Sequence, residues 1–161
     1  MTHAELIDHA ARWLQRTGHP IIITDMTHGG GETADAIGWN GARSTLIEVK
    51  VSRADFLADA KKWFRRMPER GMGGSRYYCA PVGLLTVSDM PPKWGLLEWD
   101  GRAIRVTLKA QVFQERGALS EIQLLTSAIR RVGQCAPEGV SVKCYTFETK
   151  NRATLGVEVL S

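Results

Sequence analysis

Leu6, Ala10, Trp13 and Leu14 recur at helical spacing, and Gly18 with Pro20 closes the run, which predicts an amphipathic helix over residues 3–17. The β-branched stretch PIIITDM (20–26) reads as a strand, and the glycine-rich THGGGET that follows reads as a loose turn. No Gly-Lys-Ser/Thr follows those glycines, so a phosphate-cradling loop is a poor reading. ADAIGWN (34–40) predicts a second strand, Asn40-Gly41 a hairpin turn, and TLIEVKVS (45–52) a third strand. Short turns between the three imply an antiparallel meander. Ser52 then caps a helix over 52–66, with Asp55 three residues on as an Asp variant of the capping box. Phe56, Ala60, Trp63 and Phe64 form its expected buried side, and Lys62 and Arg66 its polar side.

Beyond the break MPERGMGG, SRYYCAPVG (75–83) predicts a fourth strand. PPKWGLLEWDG and AIRVTLKAQVF then form a hairpin turning at Asp100-Gly101. A further amphipathic helix spans 119–132, its apolar stripe drawn from Leu119, Ile122, Leu125, Ala128, Ile129 and Val132. The tail reads as two strands around TKNR. Together these imply one α/β domain over 1–161, with a core at about 3–105 and a C-terminal addition from about 110.

Composition narrows the class. The chain has 161 residues, 43% apolar and 24% charged, as a globular domain with its own core should. The longest aliphatic run is far too short to span a membrane, and the early acids of MTHAELIDHAARWL do not resemble an export signal. The three cysteines form no Cys-x-x-Cys pair, which fits core thiols in a reducing cytoplasm. The four histidines show no zinc-ligand spacing. The net charge of +4 permits a polyanionic partner. Its distribution is more telling, because Lys61, Lys62, Arg65, Arg66, Arg70 and Arg76 crowd one short stretch. Solvation explains such a run as well as phosphate contact does. Lys61, Lys62, Arg65 and Arg66 are the candidates for nucleic-acid contact, and Trp63, Trp94 and Trp99 for base stacking. For Trp63, core packing is the better reading.

Candidate chemistry gathers at the third strand. Thr45, Ile47, Val49 and Val51 share one face, while Leu46, Glu48, Lys50 and Ser52 share the other. Alone, that pattern describes a strand with a wet outer face. Pairing with the preceding strand, however, brings Asp35 toward Glu48 and Lys50. Two carboxylates so placed repel unless a cation joins them, and oxygen ligands with open water positions suit Mg²⁺ or Mn²⁺. An adjacent ammonium completes the groups needed for phosphodiester hydrolysis.

These residues carry a resemblance. ETADAIGW followed by STLIEVKVSRADFLADAKKW resembles the PD-(D/E)XK nuclease superfamily, with Asp35 as the Asp and Glu48-Val49-Lys50 as the (D/E)XK. Within it, the Ser52-to-Phe56 helix start resembles MmcB-like DNA repair proteins and small phage-encoded nuclease-like proteins. RYYCAPVGLL and PPKWGLLEWDG extend the likeness over about residues 5–105. The resemblance implies a restriction-endonuclease-like fold with an αβββαβ core and a mixed sheet. It also implies metal ligation by Asp35, Glu48 and the Val49 carbonyl, with Lys50 as catalytic amine. Many members add an acid from the first helix, for which Glu5 is the candidate, with Asp8 on the same helix. Ser52 and Asp55 cap the following helix beside the site. No proline precedes Asp35, and residues from 110 onward have no counterpart. The implied function is Mg²⁺- or Mn²⁺-dependent hydrolysis of DNA, in repair or a phage context, in the cytoplasm of a bacterial or phage-infected cell. RNA is a possible substrate and a homodimer a possible assembly. The alternative is a module that binds nucleic acid or protein on the same fold without cutting.

Overall fold

A computed structural model describes residues 1–26, 33–132 and 141–144. Its elements are α1 (His3–Arg16), β1 (Ile21–Thr24), β2 (Ala36–Asn40), β3 (Arg43–Val49), α2 (Arg53–Asp59), α3 (Trp63–Arg66), β4 (Ser75–Pro81), β5 (Gly95–Trp99), β6 (Ile104–Leu108), α4 (Ala118–Val132) and β7 (Ser141–Cys144). The strands form one mixed seven-stranded sheet in the order β6-β5-β4-β3-β2-β1-β7. β1, β2 and β3 are the expected antiparallel meander, while β3, β4 and β5 run parallel. The β5–β6 hairpin turns through Asp100 and Gly101, the glycine sitting at φ +92°, where a Cβ is disfavoured. The chain is thus α/β, with a mixed sheet flanked by helices and an additional C-terminal helix.

Both faces of the sheet are covered. Leu6, Ile7, Ala10 and Leu14 of α1 pack on Ile22, Ile47, Val49, Cys79 and Leu97. On the other face Phe56 from α2 and Leu124 and Ala128 from α4 cover Ile37, Leu46, Tyr78 and Leu96. The polar side of the third strand is not solvated: Glu48 and Lys50 are 1% and 3% exposed. Among the described residues no helix is long and apolar enough to cross a membrane.

Two helices differ from the sequence pattern. The helix expected over 52–66 breaks after Asp59, and Lys62 adopts extended backbone at φ −62°, ψ 138° before α3 begins. In a continuous helix Arg65 would stand about 120° around the axis from Asp59. The break instead lets Arg65 Nε donate to Asp59 Oδ2 at 2.8 Å and Lys62 Nζ approach Asp59 Oδ1 at 2.7 Å. Accordingly Asp59 is buried and Ala60 exposed, the reverse of the expected stripe; the side chains of Trp63 and Phe64 lie outside the described ones.

In α4 the buried face is Glu121, Leu124 and Ala128, with Leu119, Ile122 and Ile129 exposed. Glu121 is drawn inward by donors: Trp39 Nε1 reaches its Oε2 at 3.1 Å, and Ser44 Oγ, the Gly73 amide and Arg116 Nε reach Oε1 at 2.9, 2.9 and 3.0 Å. Beyond α4, β7 pairs antiparallel with β1 and covers that edge of the sheet. The second tail strand and the TKNR turn lie outside the described residues, as do the glycine-rich turn, Glu32 and His28.

Candidate active site

The register of β2 and β3 decides whether the acids meet. Ala36 stands opposite Ile47 and Ile37 opposite Leu46, so continuing that register one residue outward sets Asp35, in the bend before β2, across from Glu48. Side chains directly opposite on antiparallel strands share a face with Cβ atoms about 5 Å apart. The Val49 amide, at the end of β3, donates to Asp35 Oδ2 at 2.7 Å and fixes that carboxylate against the Glu48-Val49-Lys50 turn. The Lys50 amide donates to the Cys79 carbonyl at 2.9 Å, which holds the start of the exit loop against β4.

Lys50 lies inside a ring of acids. Its Nζ is 3.5 Å from Glu48 Oε2, 3.6 Å from Asp59 Oδ1 and 3.9 Å from Asp55 Oδ1. Ser52 Oγ accepts from the Asp55 amide at 3.1 Å, so the expected N-cap is present, while the Asp55 carboxylate faces Lys50. Asp59 accepts Tyr78 Oη at 2.7 Å in addition to its two cations. Trp94 stacks on Tyr78 with ring centres 4.6 Å apart, so this tryptophan is part of the floor rather than an exposed base platform. Trp99 stacks on His9 at 3.7 Å.

Burial and charge divide the three inner carboxylates. Glu48 is pushed up to about 7 by burial, with the Asp35 and Asp59 charges adding to the effect and Arg65 and Lys50 opposing it. Burial also raises Asp35, partly offset by the Val49 hydrogen bond. For Asp59 burial acts in the same direction, but the Arg65 charge and hydrogen bonds from Arg65, Lys62 and Tyr78 outweigh it and hold the carboxyl well below its usual range. Burial and the Asp59 carboxylate push the Tyr78 phenol upward, against the opposing Arg65 charge.

The proposed nucleic-acid residues separate. Lys61 and Arg66 are exposed on the turn and helix beside the acids. Lys62 is half-exposed and reaches back to Asp59. Arg65 points inward, its side chain 4% exposed, with Nη2 3.0 Å from Glu48 Oε1. Arg76 is also buried, donating to the carbonyls of Pro68, Gly71 and Gly73. Two of the six cations in that basic run therefore face the interior. Glu5 is occupied at the start of α1, where the Thr2 amide donates to its carboxylate at 2.6 Å in a reciprocal capping box. The α1 side chain beside Asp35 is instead His3, with Nε2 3.5 Å from Oδ2.

His3, Asp59 and Tyr78 are site residues that sequence reasoning missed, and Arg65, expected to contact nucleic acid, instead faces Glu48 and Asp59. For Asp59 a signal existed: it lies three residues after Phe56, on the apolar stripe, where an acid must have buried partners.

Among the described residues no group of three or more His, Cys, Asp or Glu side chains is arranged to hold a metal. A cation held here would have Asp35 and Glu48 as its side-chain donors. That set fits Mg²⁺ or Mn²⁺ and is too poor in nitrogen and sulfur for structural zinc. Glu48 Oε1 supports the fit, since it is buried and accepts no hydrogen bond. The Arg65 contact at 3.0 Å is an ion pair out of line for an N–H···O bond.

No family model matches the chain, and no curated protein does. Among solved structures the fold is similar to that of a protein of unknown function from Silicibacter pomeroyi, SPO1766. The two superpose with a TM-score of 0.61 at 22% identity, over 82% of this chain and 90% of that one. The comparison therefore places this protein in a shared fold, an α/β core with a mixed sheet, and leaves its chemistry to the residues.

Proposed function

We propose that this protein is a Mg²⁺- or Mn²⁺-dependent hydrolase of DNA phosphodiester bonds, built on a PD-(D/E)XK-type core. The observation that carries the reading is the convergence of Asp35, Glu48 and Lys50 at one end of β2 and β3, with Lys50 buried among acids. The αβββαβ element order supports it.

Asp35 and Glu48 would hold the cation, with the Val49 carbonyl beside them. When bound, the ion supplies polarisation of a phosphoryl oxygen and a water of lowered pKa. Lys50 stabilises charge developing on the phosphorus centre, and its neighbours restrict the ammonium to one position. Lys61 and Arg66, exposed on the adjoining turn and helix, contact the nucleic-acid backbone. Such an enzyme would act in DNA repair or processing, or in a phage context, in the cytoplasm. RNA presents the same phosphate chemistry, and competition between DNA and RNA across a salt series separates the two substrates.

The test is DNA cleavage with Mg²⁺ or Mn²⁺. Wild type is expected to cut, and Lys50→Ala and Asp35→Asn to lose at least a hundredfold. Equal cutting by wild type and Lys50→Ala would sink the reading.

A second reading, a module that binds without cutting, is favoured by the charge balance of the cluster. Glu48 and Asp59 are both met by Lys50 and Arg65, and Asp59 also by Lys62, without any metal. Calorimetry with Mg²⁺ discriminates, since heat that depends on both Asp35 and Glu48 belongs to the first reading.

A further inference from the structure

Arg65 is the side chain that the sequence pattern placed on the surface and the fold placed against the candidate ligand Glu48. We propose that Arg65 is the resident counter-ion of Glu48, that a divalent cation must displace it, and that Arg65 thereby sets the metal affinity of the site. The inference rests on the reading of Asp35 and Glu48 as the metal-holding pair.

Arg65 is anchored elsewhere besides at Glu48. Its Nε is 2.8 Å from Asp59 Oδ2, and its guanidinium lies 4.7 Å from the centre of the Trp94 ring. Asp59 is in turn held by Tyr78 and Lys62. Leaving Glu48 therefore does not leave Arg65 without a counter-ion, because the hydrogen-bonded contact to Asp59 and the cation–π contact remain. The contact that must break is the out-of-line one at 3.0 Å. Glu48 Oε2 is already turned toward Lys50 at 3.5 Å, so Oε1 is the oxygen that Arg65 withholds from a metal.

Charge balance makes the same point. With Arg65 in place a guanidinium already stands against Glu48, and a dication adds two positive charges beside it. Metal binding alone is opposed by Arg65, and a phosphate group entering with the metal relieves the excess. Metal and phosphodiester therefore favour each other's binding, and by linkage the effect is reciprocal. A purely structural Arg65 that only fastens α3 to the sheet would stabilise the fold without opposing the metal.

The experiment is a Mn²⁺ titration of the full chain, stripped with EDTA, followed by calorimetry and by the electron-spin signal of free Mn²⁺. Wild type, Arg65→Gln, Arg65→Lys and Glu48→Gln are compared without nucleic acid, with thermal melts confirming the folded state. The expected result is tighter Mn²⁺ binding by about tenfold in Arg65→Gln and by a few-fold in Arg65→Lys, whose point charge reaches both acids less well. Adding a short DNA strand should tighten Mn²⁺ binding in wild type more than in Arg65→Gln. Unchanged or weaker Mn²⁺ binding in folded Arg65→Gln overturns the inference. Should that variant fail to fold, unchanged affinity in Arg65→Lys does the same. In either case Mn²⁺ binding by wild type that Glu48→Gln abolishes leaves the metal site standing. No Mn²⁺ binding by any variant removes both the site and the inference. Displaced Arg65 with no DNA cleavage removes the nuclease activity alone.

Discussion

Glu48 gives the sharpest prediction about the site, because its burial has a measurable consequence before any substrate is known. Raising its carboxyl from 4.5 to about 7 means that the folded chain keeps a proton which the unfolded chain releases. Between those pH values the unfolded state binds fewer protons, so stability falls as pH rises and then levels off above 7. At about 1.4 kcal/mol per pH unit the full effect is about 3 kcal/mol. For a chain of this length that corresponds to roughly 6–12 °C in Tm. Glu48→Gln keeps the shape and removes the titration.

Four other groups act in or near this range. Asp35, also raised by burial, acts in the same direction as Glu48. Asp59, held low, loses its contribution only at pH values below its unfolded value of 3.8. His9 and His19, both lowered chiefly by burial, favour the fold as pH rises and oppose the trend. The difference between variant and wild type removes these shared contributions. The assay is thermal unfolding of EDTA-treated protein by circular dichroism from pH 5 to pH 8. Wild type should lose several degrees more than Glu48→Gln across that interval. Parallel profiles would refute the account of Glu48 as a buried carboxyl strained by its neighbours.

Two structural predictions follow from the same sheet. Glu121→Ala leaves the Trp39 indole, the Ser44 hydroxyl, the Gly73 amide and Arg116 without their shared acceptor, and should cost about 3–5 kcal/mol in urea unfolding. Gly95→Ala would place a Cβ 2.3 Å from the Tyr77 ring and 2.6 Å from the Leu108 carbonyl, so a loss of at least about 2 kcal/mol is expected, measured by the shift of the same transition.

Much of the fold is legible in the chain because local rules and tertiary packing agree there. The helix over α1 follows from Leu6, Ala10 and Leu14 at helical spacing, and all three are buried. Asn40-Gly41 and Asp100-Gly101 name their turns because φ > 0 selects glycine, and both glycines have it. Strand alternation likewise puts Glu48 and Lys50 on one face of the third strand, although the register that brings Asp35 to them is set by the fold. Apart from that register, these are properties of a few neighbouring residues, so the sequence by itself determined them.

What only the tertiary structure decided concerns charge. Periodicity treats a charged residue as a solvent marker, and that rule fails where partners from distant segments neutralise it. Glu48 and Lys50 are buried because α2 and α3 bring Asp59 and Arg65 against them. Glu121 turns inward because Trp39, Ser44 and Gly73 hold donors for it, and Arg65 because Asp59 and Glu48 lie within reach once the helix breaks after residue 59. Each of these placements trades hydration for ion pairs and hydrogen bonds spanning 6 to 82 residues of chain. Pairings of that kind depend on the register and on the layering of helices over the sheet, and no local pattern encodes them.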